Sequence, residues 1–332
     1  VAERFNTDHN EFVVKPNSIE VLPELITKLG EPMADPSLLP TYFVSKVTSQ
    51  HVKVALSGEG GDEAFAGYRK YALCHLASIL QKWRIKPIWL GIRRAALAGE
   101  RVFNPTRRDK RFPSGLADEI MGLAQPLERY LKLITCFQEE DKRELLTEKF
   151  LQLQAEEGRN AEPLRSIFCE FGSADELACL QFADLNTTLP DYILYKVDTA
   201  TMANSLECRS PFLDYRIMEL DISLPWWYKI NLLSREGKRI LKSSFEDKIP
   251  PEILKRRKAG FTPPLSRWLQ NELSTHLRDV LLDNGDDFFR IVKANELEKL
   301  IKLHHEKEGG LGKKMWSLLI LKLWFMLMKP TL

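Results

Sequence analysis

VALSGEGGDEAFAGY, residues 54–68, carries three apolar residues straight into Ser57-Gly58-Glu59-Gly60-Gly61-Asp62-Glu63. An apolar run that stops at a glycine cluster reads as a buried strand followed by a turn. In an open parallel sheet, ligands bind beyond the carboxyl ends of the strands, and Leu56 is such an end. The glycines let backbone N–H groups approach an anion or a sugar closely. Asp62 and Glu63 then open a helix, where acidic residues suit the positive end of the dipole. Carboxylates beside a phosphate repel it unless a divalent metal lies between. Mg²⁺ accepts carboxylate and phosphate oxygens together, so a nucleotide site with Mg²⁺ on Asp62 accounts for the charge. The glycines are not followed by Lys-Ser/Thr, so this is not a Walker loop.

Upstream, VVKPNSIEVLPELITKLGEPMADPSLLPTYFVSKVTSQ alternates helix and loop. A short strand is expected over Glu11–Val14. Ser18 is placed as cap of a helix whose Val21, Leu22, Leu25, Ile26 and Leu29 fall at helical spacing, with Gly30 ending it. Helix, loop, helix, strand is the alternation of a parallel sheet with helical crossovers. From Tyr68 onward almost no strand pattern remains. Amphipathic helices are expected at Ala72–Trp83, Pro87–Ala98, Leu127–Phe137, Asp141–Glu148, Ala174–Leu189, Ser234–Phe245, Pro251–Lys255, Ser266–Leu282 and Lys314–Met328. The chain thus divides into an α/β portion, residues 1–70, and a mainly helical remainder, residues 71–332.

Composition narrows the function. The 332 residues carry 48 basic and 46 acidic side chains, a net charge of +2, which favours neither nucleic acid nor a membrane surface. The basic run GERVFNPTRRDKRFPSG lacks interleaved aromatics and reads as a solvated loop. Cys74, Cys136, Cys169, Cys179 and Cys208 are odd in number and form no CxxC pair, which argues against a disulfide framework or zinc and for a reducing, cytoplasmic setting. The adjacent His304 and His305 cannot serve one ion from one helix face. Met315–Met328 is too short to span a bilayer and contains Lys322; a buried helix is expected.

Four segments together resemble the asparagine synthetase (glutamine-hydrolysing) family: LSGEGGDEAFAGYRKY; LPDYILYKVDTATMANSLECRSPFLDYRIMEL, residues 189–220; GKRILKSSFEDKIPPEILKRRKAGFTPPLSRWL, residues 237–269; and the ending MWSLLILKLWF. The resemblance implies a C-terminal synthetase domain of ATP-pyrophosphatase type (adenine nucleotide alpha hydrolase-like). Such a domain adenylates the side chain of aspartate with ATP and Mg²⁺, and ammonia then displaces AMP. The family's N-terminal glutaminase domain supplies the ammonia. By the resemblance, the chain is truncated at its N-terminus: the first two strands, the Ser-Gly-Gly-x-Asp-Ser phosphate loop and the glutaminase domain all lie outside it.

The resemblance also assigns roles. Ser57, Gly58 and Gly60 become ATP contacts, Glu59 the glutamate that forms and uses the adenylate, and Asp62 the Mg²⁺ and pyrophosphate carboxylate. Lys258 becomes the lysine touching intermediate and leaving group, with Arg257 beside it as a cofactor contact. On residue chemistry alone, that basic run equally suits a solvated loop. Asp198, Glu207 and Arg209, with Lys196, fall in a stretch read as helical and are site-supporting candidates; nine residues separate Asp198 from Glu207, which does not put them on one helix face. Glu63 is read as a helix-start acid, Asp214 as a cap, and Asp35 and Ser37 as substrate neighbours. Expected partners are aspartate, ammonia, the glutaminase domain and a second copy in a homodimer, with no nucleic acid and no membrane. Two alternatives stand. One is a related adenylating amidotransferase or cyclising ligase acting on another carboxylate, for which Tyr192 or Tyr195 near Glu207 would supply a Tyr/Glu pair. The other is a non-catalytic helical interaction module.

Overall fold

The computed structural model describes residues 1–11, 13–84, 114–157, 162–171, 175–232, 234, 236–256, 260–306 and 311–330. It is mainly helical around one small parallel sheet. The elements that build the site and its support are α1 (Leu22–Leu29), α2 (Leu38–Thr48), β1 (Val54–Leu56), α3 (Gly61–Ala64), α4 (Arg69–Lys82), α5 (Pro126–Ile134), α6 (Glu176–Asn186), α7 (Tyr195–Met202), β2 (Glu207–Arg209), α8 (Tyr215–Ser223), α9 (Trp226–Lys229), α10 (Leu265–Gln270), α11 (Ser274–Leu281) and α12 (Gly312–Met328).

Leu22, Leu25, Ile26 and Leu29 bury the inner face of α1, as their spacing predicts. Gly30 ends the helix at φ +72°, a left-handed conformation that favours glycine. The last carbonyls of a helix have no partner within it. Here Tyr195 Oη donates to Leu29 O at 2.5 Å and Trp324 Nε1 to Gly30 O at 2.9 Å, so α7 and α12 cap α1 from outside. Ser18 is no cap: it lies in the 3₁₀ turn Pro16–Val21, and α1 begins at Leu22 because Pro23 suits its first turn. Glu11, Val13 and Val14 form no strand, since no neighbouring strand pairs with them.

The larger core gathers α1, α2, α10, α11 and α12. α12 is buried on most sides, and Lys322 is fully buried within it. Its ammonium donates to Asp286 Oδ2 at 2.8 Å and Asp283 O at 2.6 Å, which satisfies the one charge in an apolar run. No helix among the described residues is long and apolar enough to cross a membrane. The single helix expected over Ser266–Leu282 is instead two, α10 and α11. Asn271 Nδ2 donates back to Arg267 O at 3.0 Å, the local competition by which Asn ends helices. Helix Arg239–Ser244 is likewise shorter than the expected Ser234–Phe245, because Asn231 and Glu236 pair as an antiparallel bridge ahead of it. The helix expected at Pro87–Ala98 and nearly all of the basic run 99–115 lie outside the described residues.

A second core joins Tyr71 and Cys74 of α4, Tyr130 of α5 and Leu177 and Leu180 of α6. α6 and α7 are linked by a π-helical segment, Leu189–Leu194. Ala200 of α7 belongs to the larger core, so this helical path runs from one core to the other.

β1 pairs with β2 in parallel, Val54 opposite Glu207 and Leu56 opposite Arg209. Two sequence expectations change here. β2 arises within a stretch read as helical: α7 ends at Met202, and Glu207–Arg209 is extended because β1 offers it a ladder. β1 itself is not buried, with Val54 42% and Leu56 75% exposed. Successive side chains of a strand face opposite ways, and β2 is β1's only strand partner among the described residues.

Candidate active site

Parallel pairing brings the carboxyl ends of both strands to one edge, and the loops leaving them meet there. Ser57 N donates to Arg209 O at 2.8 Å, carrying the ladder one step beyond β1. The Ser57 and Ser210 hydroxyls share a hydrogen bond of 2.7 Å, which ties the loops together. Gly60 turns the chain at φ +82°, where a side chain is strained. A Cβ there would also stand 2.2 Å from Leu213 Cδ2. Gly61 lies against Phe212, whose ring also meets Phe65 edge-on at 5.8 Å. The turn Pro211–Leu213 is therefore the bed on which the glycines lie. At Gly58, by contrast, no atom lies within 4 Å of the place a Cβ would take, so this part of the loop is open.

Charged side chains converge on this loop. Lys238 Nζ lies 3.1 Å from Asp62 Oδ1, both half-buried. Lys238 reaches it from a left-handed residue at φ +58°, and its N–H donates to Phe65 O at 2.8 Å. Gly237 makes that approach feasible, since a Cβ there would fall 1.9 Å from Ala66 O. On the other side, Lys196 of α7 pairs with Asp35 Oδ2 at 3.1 Å and donates to Ser37 Oγ at 2.8 Å. Ser37 gives both its Oγ–H and its N–H to Asp35 Oδ1, each at 2.8 Å. Asp35, Ser37 and Lys196 are all buried.

Glu59 feels all of these groups. Burial pushes its carboxyl above the usual range. Lys196 opposes that rise, the like charges of Asp62 and Asp35 add to it, and Lys238 opposes it again. A carboxyl raised by burial is a stronger base than a free carboxylate, which suits proton transfer. Glu63 has another part. It is buried, accepts the Tyr68 hydroxyl at 2.5 Å and is pushed up mainly by burial, so it faces inward.

Ser57, Gly58, Glu59, Gly60 and Asp62 thus share one loop. Glu207 and Arg209 stand beside it on β2, exposed and paired with each other at 2.7 Å. Asp198 is exposed on α7 and forms no ion pair among the described residues. Asp214 caps α8 by accepting Arg216 N at 3.0 Å, and its pairing with Arg216 holds its carboxyl down to about 2. The Tyr195 hydroxyl is committed to Leu29 O; Tyr192 is raised by burial and by Asp35. Arg257 and Lys258 lie outside the described residues. Lys238 was not singled out by sequence, although the Gly-Lys pair at 237–238 is its visible mark.

Mg²⁺ binds through one or two carboxylates plus substrate phosphates rather than in a protein cage. The described residues hold no such cage of three or more His, Cys, Asp or Glu, and Asp62 is the loop carboxylate that would meet a phosphate-bound Mg²⁺.

Behind the loop, α6 presents two polar anchors one turn apart. Gln181 Nε2 donates to Glu63 O at 2.8 Å, to Ala64 O at 2.6 Å and to Asp221 Oδ2 at 2.9 Å, while Gln181 Oε1 accepts Lys229 Nζ at 2.9 Å. Asp184 accepts Lys70 Nζ at 2.8 Å and the hydroxyls of Tyr71 and Tyr130.

Comparison with known proteins adds a lineage to this geometry. The family model for asparagine synthase matches residues 1–326. The chain is 30% identical over 308 residues to asparagine synthetase [glutamine-hydrolyzing] 1 of Bacillus subtilis (strain 168), covering 91% of this chain and 45% of that protein. It is 29% identical over 333 residues to a putative asparagine synthetase [glutamine-hydrolyzing] of Mycobacterium tuberculosis (strain H37Rv), covering 97% and 47%. A more distant match, 22% identical over 285 residues, is amidase chyE of Penicillium rubens, covering 80% and 40%. The chain spans about half the length of the first two relatives or slightly less.

Proposed function

The chain belongs to the asparagine synthase family, and from that premise we propose that it is the ATP-dependent synthetase part of a protein that amidates aspartate to asparagine. In this reading the α/β portion is an ATP-pyrophosphatase fold, and the loop 57–63 is its nucleotide wall. The aspartate side-chain carboxylate attacks the α-phosphorus of ATP, pyrophosphate leaves, and aspartyl-adenylate remains. Ammonia adds to the activated carbonyl and AMP departs. In the full-length protein a glutaminase domain releases that ammonia from glutamine, in the cytoplasm and as a homodimer.

The residues divide the work. Backbone N–H groups of Gly58 and Gly60 face phosphate oxygens, while the Ser57 N–H, bonded to Arg209 O, fixes where the loop leaves the strand. Asp62 would hold Mg²⁺, which would neutralise phosphate charge when bound. Glu59, raised by burial, accepts a proton from the attacking nitrogen. Lys238, Arg257 and Lys258 stabilise the negative charge that grows on the leaving group. One observation carries the proposal: a glycine loop flanked by Glu59, Asp62, Lys238 and Lys196 stands at the carboxyl ends of two parallel strands, where α/β sheets bind ligands.

The test uses the full-length protein with aspartate, MgATP and glutamine or ammonia, following asparagine, AMP and pyrophosphate. Glu59→Gln is expected to lower turnover about 10²- to 10⁴-fold, the range of general acid–base catalysis. AMP release with another acid but not aspartate would assign a related adenylating ligase, a reading favoured by the distant amidase match. Absence of MgATP binding by the intact protein would leave the non-catalytic module.

A further inference from the structure

We propose that Gln181 is a positioning residue for the nucleotide loop, holding from behind the short helix that carries Asp62; this rests on the nucleotide reading above. α3 has four residues, too few to hold itself by its own hydrogen bonds, and the carbonyls at its end need outside partners. Each carbonyl from 62 to 65 finds one. Gly67 N takes Asp62 O at 2.7 Å, the Gln181 amide takes Glu63 O and Ala64 O, and Lys238 N takes Phe65 O at 2.8 Å. Gln181 is thus the only side chain in this set, and its two amide hydrogens are shared among Glu63 O, Ala64 O and Asp221 Oδ2.

The orientation of its amide follows from chemistry. Lys229 offers only donors, so the atom facing it is Oε1. Asp221 and the two carbonyls offer acceptors, so the atom facing them is Nε2. Gln181 is fully buried and Asp221 and Lys229 are each 1% exposed, so water does not substitute for any of these contacts. Lys229 and Asp221 lie 3.4 Å apart, and this pair locks the amide from behind. α6, α8, α9 and the loop helix therefore meet at one side chain.

A merely structural glutamine and a positioning one predict different results. The experiment measures MgATP dissociation constant by calorimetry and melting temperature on the full-length protein, unmodified and with Gln181→Met, Gln181→Asn and Asp184→Asn. Asp184→Asn strips Lys70 of its buried carboxylate on the same helix but leaves the loop carbonyls bonded. We expect Gln181→Met to weaken MgATP about tenfold, the worth of one to two hydrogen bonds. Gln181→Asn, which keeps an amide but shortens its reach, is expected to weaken it less and to fold where Met does not. Asp184→Asn is expected to lower the melting temperature with MgATP affinity unchanged. MgATP affinity unchanged in Gln181→Asn and in folded Gln181→Met, or weakened equally by Asp184→Asn, overturns the role. Failure of the unmodified protein to bind MgATP overturns the nucleotide reading first, and the role with it.

Discussion

Gly237→Ala is the substitution that most directly tests how Lys238 reaches the loop. A Cβ on Gly237 would stand 1.9 Å from Ala66 O, 2.7 Å from Ala66 C and 2.8 Å from Gly67 Cα. Ordinary contact begins near 3.5 Å, so the worst overlap is roughly 1.5 Å. The obstacles are backbone atoms, which cannot rotate away as a side-chain tip can. Overpacking of this kind costs about 1–3 kcal/mol. Separating the two segments also breaks the bond from Lys238 N to Phe65 O, worth about 0.5–1.5 kcal/mol. The expected destabilisation is about 1.5–4.5 kcal/mol, the sum of those two ranges. Urea unfolding of the full-length protein reads it as a lowered midpoint. MgATP affinity should fall as well, because Lys238 is drawn off Asp62. An unchanged midpoint together with unchanged affinity would refute the close approach of residue 237 as the device that places Lys238.

Two further outcomes are expected. Gly58→Ala has open space and an ordinary φ, so it should leave the urea midpoint unchanged or slightly raised while weakening MgATP; calorimetry showing full affinity would remove Gly58 from the nucleotide-facing backbone. Glu176 is pushed up to about 7 by burial, against the pull of Arg129, from an ordinary 4.5. The native state therefore keeps a proton that the unfolded chain has lost, so stability falls as pH rises from 4.5 to about 7, by about 3 kcal/mol at most. Urea midpoints at pH 5 and 7.5 should show that slope, and Glu176→Gln should flatten it; an equal slope in the variant would assign the effect elsewhere.

What was legible in the sequence is what local physics writes there. α1 is marked by apolar spacing and a glycine stop, α12 by its apolar run, and the loop by glycines and acids after an apolar stretch. What was not legible depends on partners far along the chain. β2 is three residues, Glu-Cys-Arg, without an apolar pattern, and is a strand only because β1 lies beside it. Lys238 becomes a counter-charge of Asp62 through a glycine contact 170 residues away, and Lys196 pairs with Asp35 across a similar distance in sequence. The break at Asn271 has a local cause, yet the apolar spacing through Ser266–Leu282 conceals it.

The π-helical segment Leu189–Leu194 sets the angular phase of all that follows it. α6 turns Gln181 and Asp184 toward the back of the loop, and α7 must turn Lys196 toward Asp35. Each residue of a regular helix advances the face by about 100°. The wider π turn accommodates one extra residue, so a deletion within 189–194 that regularised the backbone would leave Lys196 facing Asp35, whereas a deletion in the regular helix after it would rotate Lys196 by about 100°. Among homologous sequences, a one-residue gap is therefore compatible with the Lys196–Asp35 pair when it falls within the π segment and incompatible with it when it falls in the regular helix between that segment and Lys196.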